Sequence, residues 1–149
     1  MLRQAILATL TVAGAFISSP AVRSADGADG VTVAPRNLKL LGGHLRCLAF
    51  SSAQGFPDSL KQAVAAVSVP VTSRDTGCHF PELPAGSWAF AFFHDANGDG
   101  VLNTNFLGIP TEGYGFSNDA SGTFGPPSFE EAAVVFDGAL RTLAPKVRY

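Results

Sequence analysis

The chain has 149 residues, 46% of them hydrophobic and 15% charged, with 16 Gly and 10 Pro. That length and apolar share suit one folded domain and exclude a disordered tail, which needs low hydrophobicity and high net charge. A formal net charge of −2 also excludes a nucleic-acid binder that works by neutralising phosphates.

Residues 1–25 read as a secretory signal. Arg3 supplies the positive start, Ala5 to Ile17 the apolar run, and the small residues of SSPAVRSA offer cleavage after Ala21, Ser24 or Ala25. The run is too short to span a bilayer, no later stretch approaches that length, and no Cys lies near the cleavage region to carry a lipid. The alternative is an N-terminal helix packed on the domain. A single domain is therefore expected over residues 26–149, periplasmic or secreted, with no transmembrane segment and with an unknown envelope or extracellular partner. In an oxidising compartment Cys47 and Cys78 are expected to pair as a disulfide, the alternative being two buried thiols. Zinc held by Cys47, Cys78 and His79 lacks the paired ligand spacing such sites use.

In chain order, Val31 to Leu41 and His44 to Phe50 read as the first strands, turning at Gly42-Gly43. Phe56 to Val67 carries Leu60, Val64 and Val67 at helical spacing after Pro57, which predicts a short helix. Val67 to Thr72 and Gly77 to Phe80 are extended candidates. Ser87 to His94 is the clearest strand: Trp88, Phe90 and Phe92 fall on one face, Ala89, Ala91 and Phe93 on the other. Apolar residues on both faces predict a central strand, and the same alternation favours Trp88 as a core residue over a sugar-stacking one. Residues 95–128 form a long Gly-, Asn- and Pro-rich loop, of a length that is usually functional. Ser128 and Glu131 match a capping box, so a helical turn is expected from Phe129. Ala133 to Phe136, Asp137-Gly138 and Ala139 to Leu143 read as a closing hairpin. Short strands, frequent turns and no βαβ rhythm predict an all-β sandwich with one or two short helices, no internal repeat and no second domain.

Charge is divided along the chain. Between Arg74 and Arg141 there is no Lys or Arg, yet nine acids: Asp75, Glu82, Asp95, Asp99, Glu112, Asp119, Glu130, Glu131 and Asp137. Carboxylates crowded without internal cations repel one another, which a bound cation relieves if they converge. A solvated acidic face is the bland alternative. Within the segment, DANGDGVLNTN sets oxygen side chains at alternate positions: Asp95, Asn97, Asp99 and then Asn103. This follows the first nine positions of an EF-hand-type calcium loop, with Gly100 for the reversal, the Val101 carbonyl and the Asn103 side chain or its water as further ligands. The match ends at the twelfth position, where Phe106 replaces the bidentate Glu. Glu112 or Asp119 is then the nearest substitute anion, and calcium is expected to bind weakly, on the order of 10⁻⁴–10⁻³ M. The alternative is a set of Asx turns in which Asp95, Asn97 and Asp99 bond local amides.

The run LPAGSWAFAFFHDANGDGVLNTNFLGIPTEGYGFSNDASGTFGPPSFEEA resembles the bacterial exported family catalogued as domain of unknown function 2141. The resemblance covers roughly Asn37 to Tyr149 and is most specific between Leu83 and Ala132, with Trp88 where the family usually has Tyr. It implies a small transthyretin-like or immunoglobulin-like β-sandwich and no established activity. In GYGFS, Tyr114 and Ser117 are a candidate ligand patch beside the ion, and the favoured alternative is that Tyr114 and Phe116 pin the loop to the sandwich.

No catalytic constellation is legible. Ser117 lies in GFSND and not in a GxSxG elbow; His44, His79 and His94 are scattered; and His94 and Asp95, adjacent on a strand, point to opposite faces. Glu130 and Glu131 diverge on their helical turn, and no phosphate-binding glycine loop is present. The expectation is a non-catalytic exported protein.

Overall fold

The computed structural model describes residues 30–149; the signal read at 1–25 and the start of the domain at 26–29 lie outside them. Everything is arranged about the Phe-rich strand. Ten residues, Gly86–Asp95, form the longest strand, counted here in chain order as β5. Its partners in a five-stranded sheet are β2 (His44–Phe50) on one side and β6 (Tyr114–Phe116) and β7 (Val134–Phe136) on the other, with β3 (Ala65–Pro70) outside β2. All these pairings are antiparallel; β6 meets β5 at residues 91–93 and β7 meets it at 86–88, so the two lie end to end along one edge. A three-stranded sheet places β1 (Gly30–Val33) between β4 (Cys78–Pro81), antiparallel, and β8 (Arg141–Leu143), parallel.

Period-two alternation decides what each face buries. Trp88, Phe90 and Phe92 of β5 join Leu45 and Cys47 of β2, Val31 and Val33 of β1 and Cys78 and Phe80 of β4 in one core between the sheets. On the reverse face Ala89, Ala91 and Phe50 are covered by Phe116, Ala120 and Ala132, with Phe56 and Phe129 packed against them. Phe56 makes the aromatic hub of that layer, 5.4 Å from Phe50, 6.0 Å from Phe116 and 6.1 Å from Phe129 between ring centroids. The fold is all-β, the predicted central strand is central, and Trp88 is a core residue whose Nε1 donates to Pro84 O at 2.9 Å. The capping box forms as expected, opening a four-residue helix α1 (Phe129–Ala132).

Four expectations are corrected. No helix forms over Phe56–Val67; the chain turns through that region and enters β3 at Ala65. Leu60 and Val64 carried the helical spacing, but both are exposed, so a helix would have had no face to bury; Ala65, Val67 and Val69 alternate instead against the core. Gly42-Gly43 is not a hairpin turn, since β1 ends at Val33 and belongs to the other sheet. Likewise Asp137-Gly138 joins no hairpin: β7 stays with β5 while β8 crosses to β1. The long loop 95–128 is also interrupted, by β6 and by a 3-10 turn at Ser117–Asp119. Among the described residues no helix is long and apolar enough to cross a membrane.

Cys47 and Cys78 are bridged, tying β2 of one sheet to β4 of the other across 31 positions of sequence. Closing such a loop restricts the unfolded chain. Replacing both cysteines by Ala is expected to lower the unfolding free energy by about 3–4 kcal/mol. Urea unfolding checks this, and dithiothreitol should then weaken the natural chain but leave the variant unchanged.

Candidate functional site

The acidic loop, residues 96–113, leaves the end of β5 and returns into β6. Its anchor is Asp95, wholly buried at the last position of β5. Asp95 shares a face of the sheet with Arg46, one diagonal step away, because Arg46 pairs in register with Phe93. Arg46 Nε donates to Asp95 Oδ2 at 2.6 Å, and Gly100 N donates to the same oxygen at 2.9 Å. The other oxygen, Oδ1, accepts from Gly98 N at 2.8 Å and Asp99 N at 3.1 Å. One carboxylate thus takes four donors and bends the chain around itself. Gly98 and Gly100 have φ of +76° and +84°, a region that L side chains enter only at a cost, so the bend depends on both.

Burial alone would raise the Asp95 pKa, but the Arg46 guanidinium and the amides of Gly100 and Gly98 outweigh it and hold the group below the ordinary carboxylate range. Asp99 is likewise lowered, by the Asn103 amide and the Val101 N–H. Asn97 and Asn103 donate to Asp99 Oδ2 at 3.0 and 2.9 Å, and Asn97 donates to Asn103 Oδ1 at 3.0 Å. The loop therefore brings Asn97, Asp99 and Asn103 together as a polar ring, with Val101 N–H closing an Asx turn on Asp99 at 3.0 Å. Glu112 is buried and clamps the two ends of this ring. Its Oε1 accepts from Ala96 N at 2.9 Å and its Oε2 from Asn103 N at 3.1 Å. Asp119, the other anion considered for the site, is elsewhere, accepting from Arg36 and from Lys146 N. The amide of Lys146 and then Arg36 keep its pKa low against a burial effect that opposes them.

Beyond the ring the loop narrows to a small hairpin. Thr104 bridges Pro110, Thr111 N donates to Asn103 O, and Asn105 N donates to Ile109 O. Asn105 Oδ1 takes the amides of both Leu107 and Ile109, at 2.9 and 3.1 Å, and so fixes the tip. What the tip presents is apolar: Phe106 is 95% exposed, Leu107 67% and Ile109 55%.

Other residues singled out in the sequence are spent on structure. Ser117 is fully buried; its hydroxyl accepts from Phe90 N at 2.9 Å and donates to Ala132 O, joining β5 to α1. Tyr114 is half-buried and pairs its backbone with Arg148. His94 is buried with Nε2 2.7 Å from Gly42 O, and His79 Nδ1 lies 2.9 Å from Thr32 Oγ1. Among the described residues no group of three or more His, Cys, Asp or Glu is placed to hold a metal ion.

The description of an uncharacterized protein conserved in bacteria, DUF2141, matches residues 33–143, well over half of the chain. The chain belongs to this family. No curated protein and no solved structure matches it.

In this DUF2141 chain two residues that shape the loop, one on β2 and one at the tip, lie outside the ligand positions of the calcium-loop spacing. Arg46 needed the strand register, which no spacing reveals. Asn105 had a usable signal, since Asn followed three residues later by Gly108 is a type I turn pattern. Because Asp95 gathers four donors, Asp95→Ala is expected to cost about 2–3 kcal/mol in denaturant unfolding at pH 7. A depressed folded pKa gives stability that is full above the unfolded value, 3.8, and is lost as pH falls through the folded one. The natural chain should therefore lose more stability than Asp95→Ala below about pH 4; equal acid slopes would contradict the assignment.

Proposed function

We propose that this chain is an exported, non-catalytic binding module of the bacterial envelope, whose acidic loop is a rigid mount for an apolar tip. The observation that carries this is the contrast within loop 96–113. Its base is locked by the buried Asp95 and Glu112 carboxylates, while Phe106, Leu107 and Ile109 stand in solvent at its apex. Large apolar side chains held together on a stiff support mark a surface that another molecule covers. Export is supported by the signal-like residues 1–25 and fits a cross-sheet disulfide. A non-catalytic role is supported by the way the His94 and Ser117 side chains are consumed inside the fold.

The tip is tested with Phe106→Ser/Leu107→Ser, two exposed positions whose change leaves the core alone. In co-sedimentation with isolated bacterial envelope fragments the natural chain is expected to pellet, and the double variant to stay in solution with an unchanged melting temperature. Equal pelleting of both would remove the tip from the function.

A second reading keeps calcium in the loop, with Asp95, Asn97, Asp99, Val101, Asn103 and Glu112 as its surroundings. It draws support from the meeting of Asn97, Asp99 and Asn103 within 3.0 Å of one another. Against it, both Asp95 oxygens are already engaged, four donors in all. The leading reading expects the same melting temperature in EDTA and in 10-millimolar-range calcium. On the calcium reading, saturation about 100-fold over the dissociation constant adds about 2.7 kcal/mol, and Asp99→Asn abolishes the gain.

A further inference from the structure

Away from the acidic loop, an open cleft of about 670 Å³ lies where the C-terminal segment crosses residues 37–39, and Lys39, Arg74, Lys146, Arg148, Tyr114 and Tyr149 contribute to its wall. Among the described residues no Asp or Glu side chain lines it. In a protein of net charge −2 this is not a general excess of base. Arg36 and Arg46 each have a carboxylate partner, whereas Lys39, Arg74 and Arg148 of the cleft are held by neutral groups. Arg74 Nη1 donates to Leu38 O at 2.6 Å. Lys39 Nζ sits 4.3 Å above the Tyr149 ring, and its backbone N–H donates to the Tyr149 hydroxyl. Arg148 donates to the carbonyls of Ala120 and Asp119 at 2.9 and 2.7 Å. The charge of Asp119 reaches Arg148 but is engaged first by Arg36. Asp75 lines the adjoining hollow and makes no ion pair with Arg74 among the described residues. Lys39 and Arg74 are thus positioned without neutralisation, and the Lys146 ammonium makes no ion pair among the described residues, so the rim is positive.

We propose that this cleft binds a polyvalent oxyanion, with phosphate or sulfate groups spaced to meet Lys39, Arg74 and Lys146 together. One exposed ion pair contributes only about 0–1 kcal/mol, so a single charge gains little here and several linked charges gain much more. Arg74 offers the remaining donors of a planar fork, which pair with phosphate or sulfate oxygens, while one nitrogen is anchored on Leu38 O. The site is independent of the apolar tip and of any ion in the loop.

Isothermal titration with tripolyphosphate at low salt tests it. Saturable binding is expected, weakened several-fold when the salt is raised about tenfold. The Arg74→Gln/Lys146→Gln double variant is expected to lose binding at least about tenfold, and Lys61→Gln, an exposed lysine outside the cleft, to lose none. Lys146→Gln alone guards against any local change from losing the Arg74 bond, since the Lys146 side chain makes no hydrogen bond among the described residues; it should weaken binding by itself. Titration with a sulfated tetrasaccharide separates the sources: tighter binding than tripolyphosphate assigns the ligand to sulfated glycans, weaker binding to phosphates, and either supports the site. No binding of either probe at low salt, or equal losses in the cleft variants and Lys61→Gln, overturns the proposal.

Discussion

A strand that is apolar on both faces has to be covered twice. β5 is such a strand, and the second sheet, the disulfide, α1 and the turn at Ser117–Asp119 are the pieces that cover it. Its interior position also fixes the chemistry at its end. The sheet carries the chain to Asp95 still fully buried, so a carboxylate arrives where water cannot solvate it. Arg46 and three loop amides replace that solvation, and in doing so they determine how the acidic loop must start. The loop's shape is therefore a consequence of how β5 is packed, transmitted through one side chain.

Periodicity made the centre of this fold legible and connectivity did not. Ser87 to His94 announces its two buried faces through six apolar residues in alternation, and the Ser128 and Glu131 pair announces α1. Local spacing carries both signals. The first strand, the closing segment and the stretch 56–67 failed for a common reason: a turn residue or a helical repeat says nothing about which surface is available to pair with. Asp137-Gly138 makes a tight turn, with Ala139 N on Asp137 Oδ1, yet the strand that follows finds its partner in β1. Leu60 and Val64 have helical spacing but no apolar surface opposite them. At the candidate site, the Asp95, Asn97, Asp99 and Asn103 spacing was readable as a tight oxygen-rich loop. That Arg46 would be the cation beside Asp95 depended on the β2–β5 register, a long-range property.

The nine acids between Arg74 and Arg141 raise the question of how they tolerate one another. In the structure most of the answer is backbone amide. Asp95, Asp99, Glu112, Asp119, Glu131 and Asp137 each accept at least one main-chain N–H, which places the positive end of a peptide dipole on the carboxylate and orders the adjacent turn. Only Asp95 and Asp119 draw in a guanidinium among the described residues. Acidic composition here is largely a device for building loops and turns, in which six of the nine carboxylates take up main-chain N–H groups.

That use of the acids has a consequence for the bases. If the carboxylates are satisfied by amides, the cations contributed by the flanking segments are left to find neutral acceptors. Leu38 O holds Arg74, the Tyr149 ring holds Lys39, and Ala120 O helps hold Arg148. Neutral acceptors fix position without cancelling charge, so the positive potential survives at the surface while the loop's negative groups are drawn inward or onto backbone. The apolar tip and the basic cleft thereby share one cause. Both follow from a chain that spends its acidic side chains on folding its loops, leaving other chemistry free to face outward.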